Sequence, residues 1–243
     1  MSRPMVWSLV VWLVPCSLAL GEGSIAGKVN WDGKKVRMKP IKMEADPKCA
    51  ALHPDPVRFE TVIVNDNHTL KNVFVYVKKG LEGKKFDVPA EPVTIDQKGC
   101  TYVPHVFGMM AGQKLLIRNS DPLLHNIHAL PKNSPEFNFG QPRQGMEDDK
   151  RTFKKAEVMV KFKCDVHPWM SAYVGVLDHP FFAVSGDDGT FEIKGLPAGS
   201  YTIESWHEKY GVQEQQVTVA DGAPTTVEFT YRKAQKEEEG EQD

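Results

Sequence analysis

The chain has 243 residues, enough for one large domain or two small ones. Its 30 Lys and Arg residues nearly balance its 32 Asp and Glu residues, which argues against nucleic acid as a partner because phosphate binding needs a concentrated basic face. The 19 glycines and 17 prolines are regularly placed, as a fold built from strands and turns requires.

The first 21 residues have the features of a secretory signal peptide. Arg3 precedes a mostly apolar stretch, Met5–Val14, and small residues follow around Ala19. The stretch is shorter than the roughly 20 apolar residues of a membrane span, so we predict no span in the mature chain. A lipoprotein signal that uses Cys16 is an alternative, although the proline directly before it fits such a signal poorly. The sequence therefore predicts export to the periplasm or the cell surface.

Alternating apolar and polar residues predict β-strands along the rest of the chain. These strands are expected at 25–29, 72–77, 92–96, 114–119, 158–162, 190–195, 200–205, 214–219 and 225–231. No long stretch has a helical period, so the predicted fold class is all-β, with sandwiches as the architecture. The acidic tail, 234–243, cannot bury an apolar face and is predicted to be disordered.

Export also sets the expected state of the four cysteines. Cys16 would be removed with the signal peptide, and Cys164 lies in a loop with other metal-ligand residues. Cys49 and Cys100 remain, and two remaining cysteines in an oxidising compartment tend to pair. We predict a Cys49–Cys100 disulfide, with two separate buried thiols as the alternative.

The loop in KFKCDVHPWMSAYV, residues 161–174, contains a thiol, an imidazole and a thioether within seven positions. They belong to Cys164, His167 and Met170, and Cys164 shares a strand face with apolar residues. This ligand set is typical of a blue-copper centre, whose trigonal plane is formed by two histidines and one cysteine. Zinc is the rival metal, but its sites favour additional thiolates or histidines over methionine.

The second histidine of such a centre is expected upstream, in IRNSDPLLHNIHAL. His125 follows a predicted strand and a turn, so strand pairing can bring it to the loop. His128 is the competitor, but it would point to the opposite side of a strand if Ile127 shares the side of His125. We therefore predict His125 as the ligand.

Residues 91–178 resemble a cupredoxin. VTIDQKGCTYVPHVFGMMAGQKLLIRNSDPLLHN is similar to the first half of that family and FKCDVHPWMSAYVGVL to its closing half, with the loop spacing of the amicyanin and plastocyanin types. The resemblance implies a Greek-key β-sandwich with one type 1 copper ion. It implies that Asn126 connects the two ligand segments by hydrogen bonds, and that the copper ligands are His125, Cys164, His167 and Met170.

The same resemblance implies where electrons would enter and leave. The imidazole edge of His167 would lie at the surface as an electron port, with Pro168 and Trp169 in an apolar docking patch around it. Trp169 in the core is the alternative. Residues 131–152 depart from the family pattern because they are longer and more polar than in a minimal cupredoxin, which leaves surface shape and partner choice open.

A second module resembles a carboxypeptidase-regulatory-like, or transthyretin-like, β-sandwich. The resemblance rests on GSIAGKVNWDGKKV near the start and on FAVSGDDGTFEIKGLPAGSYTIESWHEKYGVQEQQVTV near the end. We infer that 24–80 and 181–233 form one sandwich and that the copper domain, 91–178, is inserted between them. A tandem arrangement is the alternative. Under the insertion, the predicted disulfide would join the two parts.

These observations predict a secreted type 1 copper protein that carries single electrons between redox protein partners. A periplasmic copper-binding or delivery protein, or a β-sandwich scaffold with structural copper, are the alternatives. An enzyme is not expected, because the eight histidines are scattered and form no second copper cluster. The sequence gives no support for a second metal site at His179, His207 and Glu208.

Overall fold

The structure is a computed structural model that describes residues 22–233. The predicted signal peptide, 1–21, and the predicted tail, 234–243, lie outside the described residues. Strands dominate, and the described helices are a three-residue 3-10 helix, Met43–Ala45, and the short α1 (Pro47–Ala51). The all-β prediction is confirmed.

The first strands are β1 (Gly23–Asp32), β2 (Ile63–Val64), β3 (Leu70–Lys71) and β4 (Phe74–Lys79). The middle of the chain forms β5 (Val93–Lys98), β6 (Thr101–Val103), β7 (Val106–Met110), β8 (Leu115–Asn119), β9 (His125–Leu130), β10 (Phe137–Gln141), β11 (Met146–Arg151), β12 (Glu157–Lys163) and β13 (Ser171–Leu177). The last part forms β14 (Phe182–Val184), β15 (Thr190–Leu196), β16 (Gly199–His207), β17 (Gly211–Val219) and β18 (Pro224–Arg232).

Strands β5–β13 form a sandwich that we call the central sandwich. One sheet has the order β10-β9-β12-β13-β7 and the other β11-β8-β5-β6. Alternate residues of the two sheets meet in one buried cluster that includes Ile95, Ile117, Ile127, Phe162 and Val174. This alternation is the period-2 pattern from which the strands were predicted. The core extends to Cys164 and Met170, so the ligand loop closes one end of the sandwich.

Strands from both ends of the chain form a second sandwich, which we call the flanking sandwich. Its sheets have the orders β15-β1-β18 and β14-β4-β16-β17. The chain leaves this sandwich after β4 and returns at β14, which pairs directly with β4. The central sandwich thus lies in sequence between two neighbouring strands of the flanking one. The predicted domain bounds, 24–80, 91–178 and 181–233, stay predictions.

Two glycines allow the sandwiches to pack closely. Gly108 and Gly175 are partners on β7 and β13, and aromatic rings of the flanking sandwich lie over them. A Cβ at Gly108 would lie 2.3 Å from the ring of Phe182, and one at Gly175 would lie 2.3 Å from the ring of Phe74. The two rings stack with centroids 5.6 Å apart. The absence of side chains at both glycines therefore permits this contact.

Candidate metal centre

Strand pairing brings the predicted ligands of the two segments together. His125 is the first residue of β9, and Cys164 directly follows the end of β12, its antiparallel neighbour. His167 and Met170 lie in the loop between β12 and β13. The loop is closed by backbone hydrogen bonds from Met170 to the His167 carbonyl, 3.0 Å, and from Cys164 to the Met170 carbonyl, 3.3 Å.

Three of the four predicted ligands form a compact buried group. The Nδ1 atoms of His125 and His167 are 3.0 Å apart, and Sγ of Cys164 lies 3.8 Å from Nδ1 of His167. One ligand atom from each of the three residues lies within 4.8 Å of the others. Their exposed fractions are 0%, 2% and 1% for His125, Cys164 and His167.

The outer nitrogens of both rings contact carboxylates. Nε2 of His125 lies 2.8 Å from Oδ2 of Asp121, and Nε2 of His167 lies 3.2 Å from Oδ2 of Asp46. An ionised carboxylate only accepts hydrogen bonds, so each Nε2 carries a proton, and in the neutral ring each Nδ1 is left with a lone pair. When both rings are neutral, two lone pairs face each other across 3.0 Å in a buried site, an arrangement that a cation between them would stabilise.

The donor set fits a copper ion. Ligands that lie about 2.0 to 2.3 Å from one metal ion must lie roughly 3 to 4 Å from each other, which agrees with the nitrogen and sulfur separations. A thiolate with two imidazoles is the set that copper proteins of the blue type use. His125, Cys164 and His167 would hold the ion.

The structure places Met170 beside this group. Its side chain is 1% exposed and belongs to the same buried cluster as Cys164. Its position in the closing turn of the loop is compatible with an axial thioether. The ligand role of Met170 stays a prediction.

Asn126 connects the two ligand segments. Its Oδ1 accepts hydrogen bonds from the backbone of Asp165, 2.7 Å, and of Val166, 3.3 Å, and lies 3.2 Å from Sγ of Cys164. Its Nδ2 donates to Oδ1 of Asn138, 2.7 Å. Asn126 therefore fixes the start of the ligand loop against β9, as the resemblance implies.

The surroundings favour a deprotonated thiol at Cys164. Burial acts to raise its pKa, but His125 and nearby N–H groups lower the pKa more, so the net shift is downward. Burial acts to lower the pKa of His125, but Asp121 and Cys164 raise the pKa more. The pKa of His167 is lowered, mainly by burial and against the opposing effect of Asp46. A thiol that loses its proton readily is ready to bind a metal ion.

Asp121 is a site residue that the sequence analysis missed. It is 4% exposed and accepts hydrogen bonds from the backbone of Gly99, 2.8 Å, and of Cys100, 2.7 Å, in addition to contacting His125. It therefore holds the turn between β5 and β6 against the first residue of β9. Its position four residues before His125 could have indicated a contact with that histidine. An aspartate is equally expected at this position as a turn residue, so the sequence did not separate the two roles.

The predicted surface position of the His167 ring edge is wrong, and its role as an electron port stays a prediction. The ring is covered by residues 43–52, which we call the cover, and Sγ of Cys49 lies 3.5 Å from its Nε2. Cys49 and Cys100 form a disulfide with Cα atoms 5.7 Å apart, which confirms the predicted pairing. This bond fastens the cover to the central sandwich. His167 is buried because the disulfide and Asp46 occupy the space outside its ring.

The two predicted docking-patch residues have different environments. Pro168 is exposed, whereas Trp169 is half-buried. Nε1 of Trp169 donates a hydrogen bond to the Cys100 carbonyl, 3.0 Å, and its ring centroid lies 5.1 Å from that of His167. Trp169 therefore joins the ligand loop to the turn that carries Cys100. The docking patch itself stays a prediction.

The competing histidines lie elsewhere. His128 points away from the centre and contacts Oδ2 of Asp165, 3.0 Å, and Oε1 of Glu136, 2.5 Å. Within residues 22–233, the groups of Cys, His and acidic side chains close enough to share an ion involve Cys49, Cys100, Asp121, His125, Cys164 and His167. They do not include His179, His207 or Glu208. Burial lowers the pKa of His207 to about 4, as expected for a neutral core imidazole.

Parts of the chain are similar to known proteins. The family model of the carboxypeptidase regulatory-like domain matches residues 168–232. A purple cupredoxin from Nitrosopumilus maritimus is 22% identical, covering 34% of this chain and 97% of that one, with a TM-score of 0.29. A Cu(I) amicyanin variant is 19% identical, covering 37% and 86%, also with a TM-score of 0.29.

A copper-containing nitrite reductase from Thermus scotoductus SA-01 is 23% identical, with a TM-score of 0.32. The match covers 40% of this chain and 25% of that enzyme. No curated protein matches the sequence. Across residues 22–233, no helix has the length and apolar character needed to cross a membrane. These solved structures share too little sequence and structure with this chain to indicate its function.

Proposed function

We propose that the chain is an exported type 1 copper protein that carries single electrons between redox protein partners, and that it is not an enzyme. The observation that carries the proposal is the pair of Nδ1 atoms 3.0 Å apart, each on a ring whose other nitrogen contacts a carboxylate. With the Cys164 thiol beside them, these atoms form the trigonal donor set of a blue-copper site.

A bound copper ion would supply reversible one-electron transfer between Cu(I) and Cu(II). The chain would hold the ligands in one geometry for both states. His125 is fixed by Asp121, and the loop of Cys164 is fixed by Asn126. Water is kept out because the three ligand side chains are buried. Little rearrangement of the protein would therefore accompany the gain or loss of an electron.

Burial of the ligands favours electron transfer over copper delivery. A delivery protein must release its ion to a partner, whereas here the disulfide-linked cover lies over His167. The ligands also belong to the core of a packed sandwich. A retained ion is the expected consequence.

Exposed apolar side chains beside the ligands support docking of a partner. Leu124 precedes His125 and is 44% exposed, and Val166 precedes His167 and is 45% exposed. Partners of this kind are expected to bind briefly through small apolar surfaces. We place the protein in the periplasm or at the cell surface, because it carries a disulfide and a signal-like N-terminus.

The test is an optical and EPR spectrum of the copper-loaded protein with a redox titration. We expect a blue oxidised form that bleaches reversibly on reduction, and loss of the colour in Cys164→Ser. His128→Ala is the matched control because this histidine lies on the same strand but outside the centre. A colourless copper complex would overturn the electron-carrier proposal, and rapid loss of copper to a modest chelator would favour delivery.

A further inference from the structure

A second group of soft ligand atoms lies on the outer side of His167. Sγ of Cys49 is 3.5 Å from Nε2 of His167, and ligand atoms of Cys49, Cys100 and His167 all lie within 4.8 Å of one another. The exposed fractions of these residues are 0%, 0% and 1%. This group uses the ring nitrogen opposite to the one that faces Cys164. In the present structure its two sulfurs are joined in the disulfide.

Cys100 is held in place without help from the disulfide. Its backbone N–H donates to Asp121, 2.7 Å, and its carbonyl accepts a hydrogen bond from Trp169, 3.0 Å. These bonds fix the Cys100 backbone on both sides of the side chain. Breaking the S–S bond would therefore leave this sulfur close to His167.

Cys49 is also held by noncovalent contacts. It lies on α1, whose first turn is capped by Asp46 through a 2.9 Å bond to the Lys48 backbone. A 2.7 Å hydrogen bond between His53, the residue after the cover, and the Gly99 carbonyl ties this segment to the turn that carries Cys100. The cover also packs Met43 and Cys49 into a buried cluster with Leu123. Two free thiols would thus stay side by side.

We propose that reduction of the Cys49–Cys100 disulfide creates a second copper(I) site, formed by the two thiolates and Nε2 of His167. Two thiolates and an imidazole form the soft, low-coordinate donor set that copper(I) prefers. The Cα separation of 5.7 Å allows both sulfurs to reach one ion after a small side-chain rotation. The proposal goes beyond the proposed function and does not depend on it, because Cys164 is not one of the ligands.

A phosphine can supply the two electrons that reduce the Cys49–Cys100 disulfide. The phosphine attacks one sulfur, the S–S bond breaks, and water supplies the oxygen of the phosphine oxide and the protons of the two thiols. Copper(I) then replaces the proton of each thiol, and these two protons go to solvent. Nε2 of His167 gives up its hydrogen bond to Asp46, and its proton moves to Nδ1, so the ring stays neutral when Nε2 binds the ion. The ion itself does not change oxidation state.

The experiment uses the full chain with Cys164→Ser. This variant lacks the thiol of the proposed blue-copper centre, so the result does not depend on whether that centre exists. The protein is reduced anaerobically with tris(2-carboxyethyl)phosphine, the reductant is removed, and newly formed thiols are counted. Copper(I) is then titrated in competition with bathocuproine disulfonate. We expect two new thiols and one additional tightly bound copper(I) per chain, compared with the unreduced protein.

Two variants in the same background serve as controls. Cys49→Ser/Cys100→Ser should bind no additional copper(I) after the same treatment. His167→Ala keeps both thiols and should weaken the added site at least tenfold. A disulfide that stays closed in the folded protein, an unchanged copper(I) count, or preferential retention of zinc(II) would each overturn the proposal.

Discussion

Oδ2 of Asp121 lies 2.8 Å from Nε2 of His125, and both side chains are buried. The carboxylate also accepts the backbone N–H groups of Gly99 and Cys100. One side chain thus orients a ligand ring and holds the turn to which the cover is fastened. The candidate centre and its cover therefore share a common anchor.

Replacement of Asp121 by asparagine should weaken copper binding about 10- to 100-fold, because the amide no longer holds the His125 proton on Nε2 with a full negative charge. Competition with a chelator of known affinity measures the effect. Asp66→Asn is the control, since that side chain is 98% exposed and lies in another part of the protein. Equal copper affinities for Asp121→Asn and the unmodified protein would contradict the orienting role.

Asn126→Ala should loosen the ligand loop. The substitution leaves the backbone N–H groups of Asp165 and Val166 without their acceptor, so we expect a loss of about 1 to 3 kcal/mol in the free energy of unfolding. Denaturant unfolding of the metal-free protein measures this loss. Asn138→Ala removes a side chain that contacts Asp165 but no backbone group of the loop, and its effect should be clearly smaller. Similar losses in both variants would contradict the bridging role.

Glu208 should make the contact between the sandwiches sensitive to acid. Its carboxylate lies 2.7 Å from Nε2 of His105 and accepts a 3.1 Å hydrogen bond from Tyr173. Burial acts to raise the pKa of Glu208, but the contacts with His105 and Tyr173 and the nearby His207 together lower the pKa more, so it lies below the ordinary 4.5. A carboxylate with a lowered folded-state pKa stabilises the fold above its unfolded-state pKa, and this contribution is lost as pH falls through the folded-state value.

We therefore expect Glu208→Gln to lower the free energy of unfolding by about 1 to 3 kcal/mol at pH 7. The difference from the unmodified protein should shrink as the pH falls below the ordinary carboxyl pKa of 4.5 and through the lowered folded-state pKa of Glu208. Unfolding curves at several pH values measure it. Glu192→Gln, an exposed position beside Lys194, should show no such change. A difference that is constant with pH would exclude the carboxylate charge as its cause.

Gly175→Ala should force the two sandwiches apart. The new Cβ would lie 2.3 Å from Cζ of Phe74, so we expect a loss of about 1 to 3 kcal/mol from overpacking. Phe74→Leu in the same chain should recover part of this loss by removing the ring, as a double-mutant cycle would show. In Gly140→Ala the nearest side-chain atom would be at 3.5 Å, so little change is expected. Strictly additive effects at positions 74 and 175 would contradict the contact.

Much of the architecture could be predicted from local patterns. Period-2 alternation predicted the strands that became β1, β5, β8, β12 and β15–β18, and a continuous apolar run predicted β4. The polar segment 131–152 departs from the cupredoxin pattern, yet it forms β10 and β11, one in each sheet of the central sandwich. Both strands lie at the edge of a sheet, where the outward side chains are polar and few side chains reach the core. The alternation of apolar and polar residues is therefore weak in this segment.

The sequence alone determined the ligand loop and the disulfide partners. Cys164, His167 and Met170 are close in the chain, so their proximity needs no tertiary fold, and the pairing of Cys49 with Cys100 followed from which cysteines remained. Only the tertiary structure decided that His167 is covered and that Asp46 and Asp121 contact the two rings. Asp46 and His167 are 121 positions apart, and their contact depends on how the cover packs, which residue spacing does not encode.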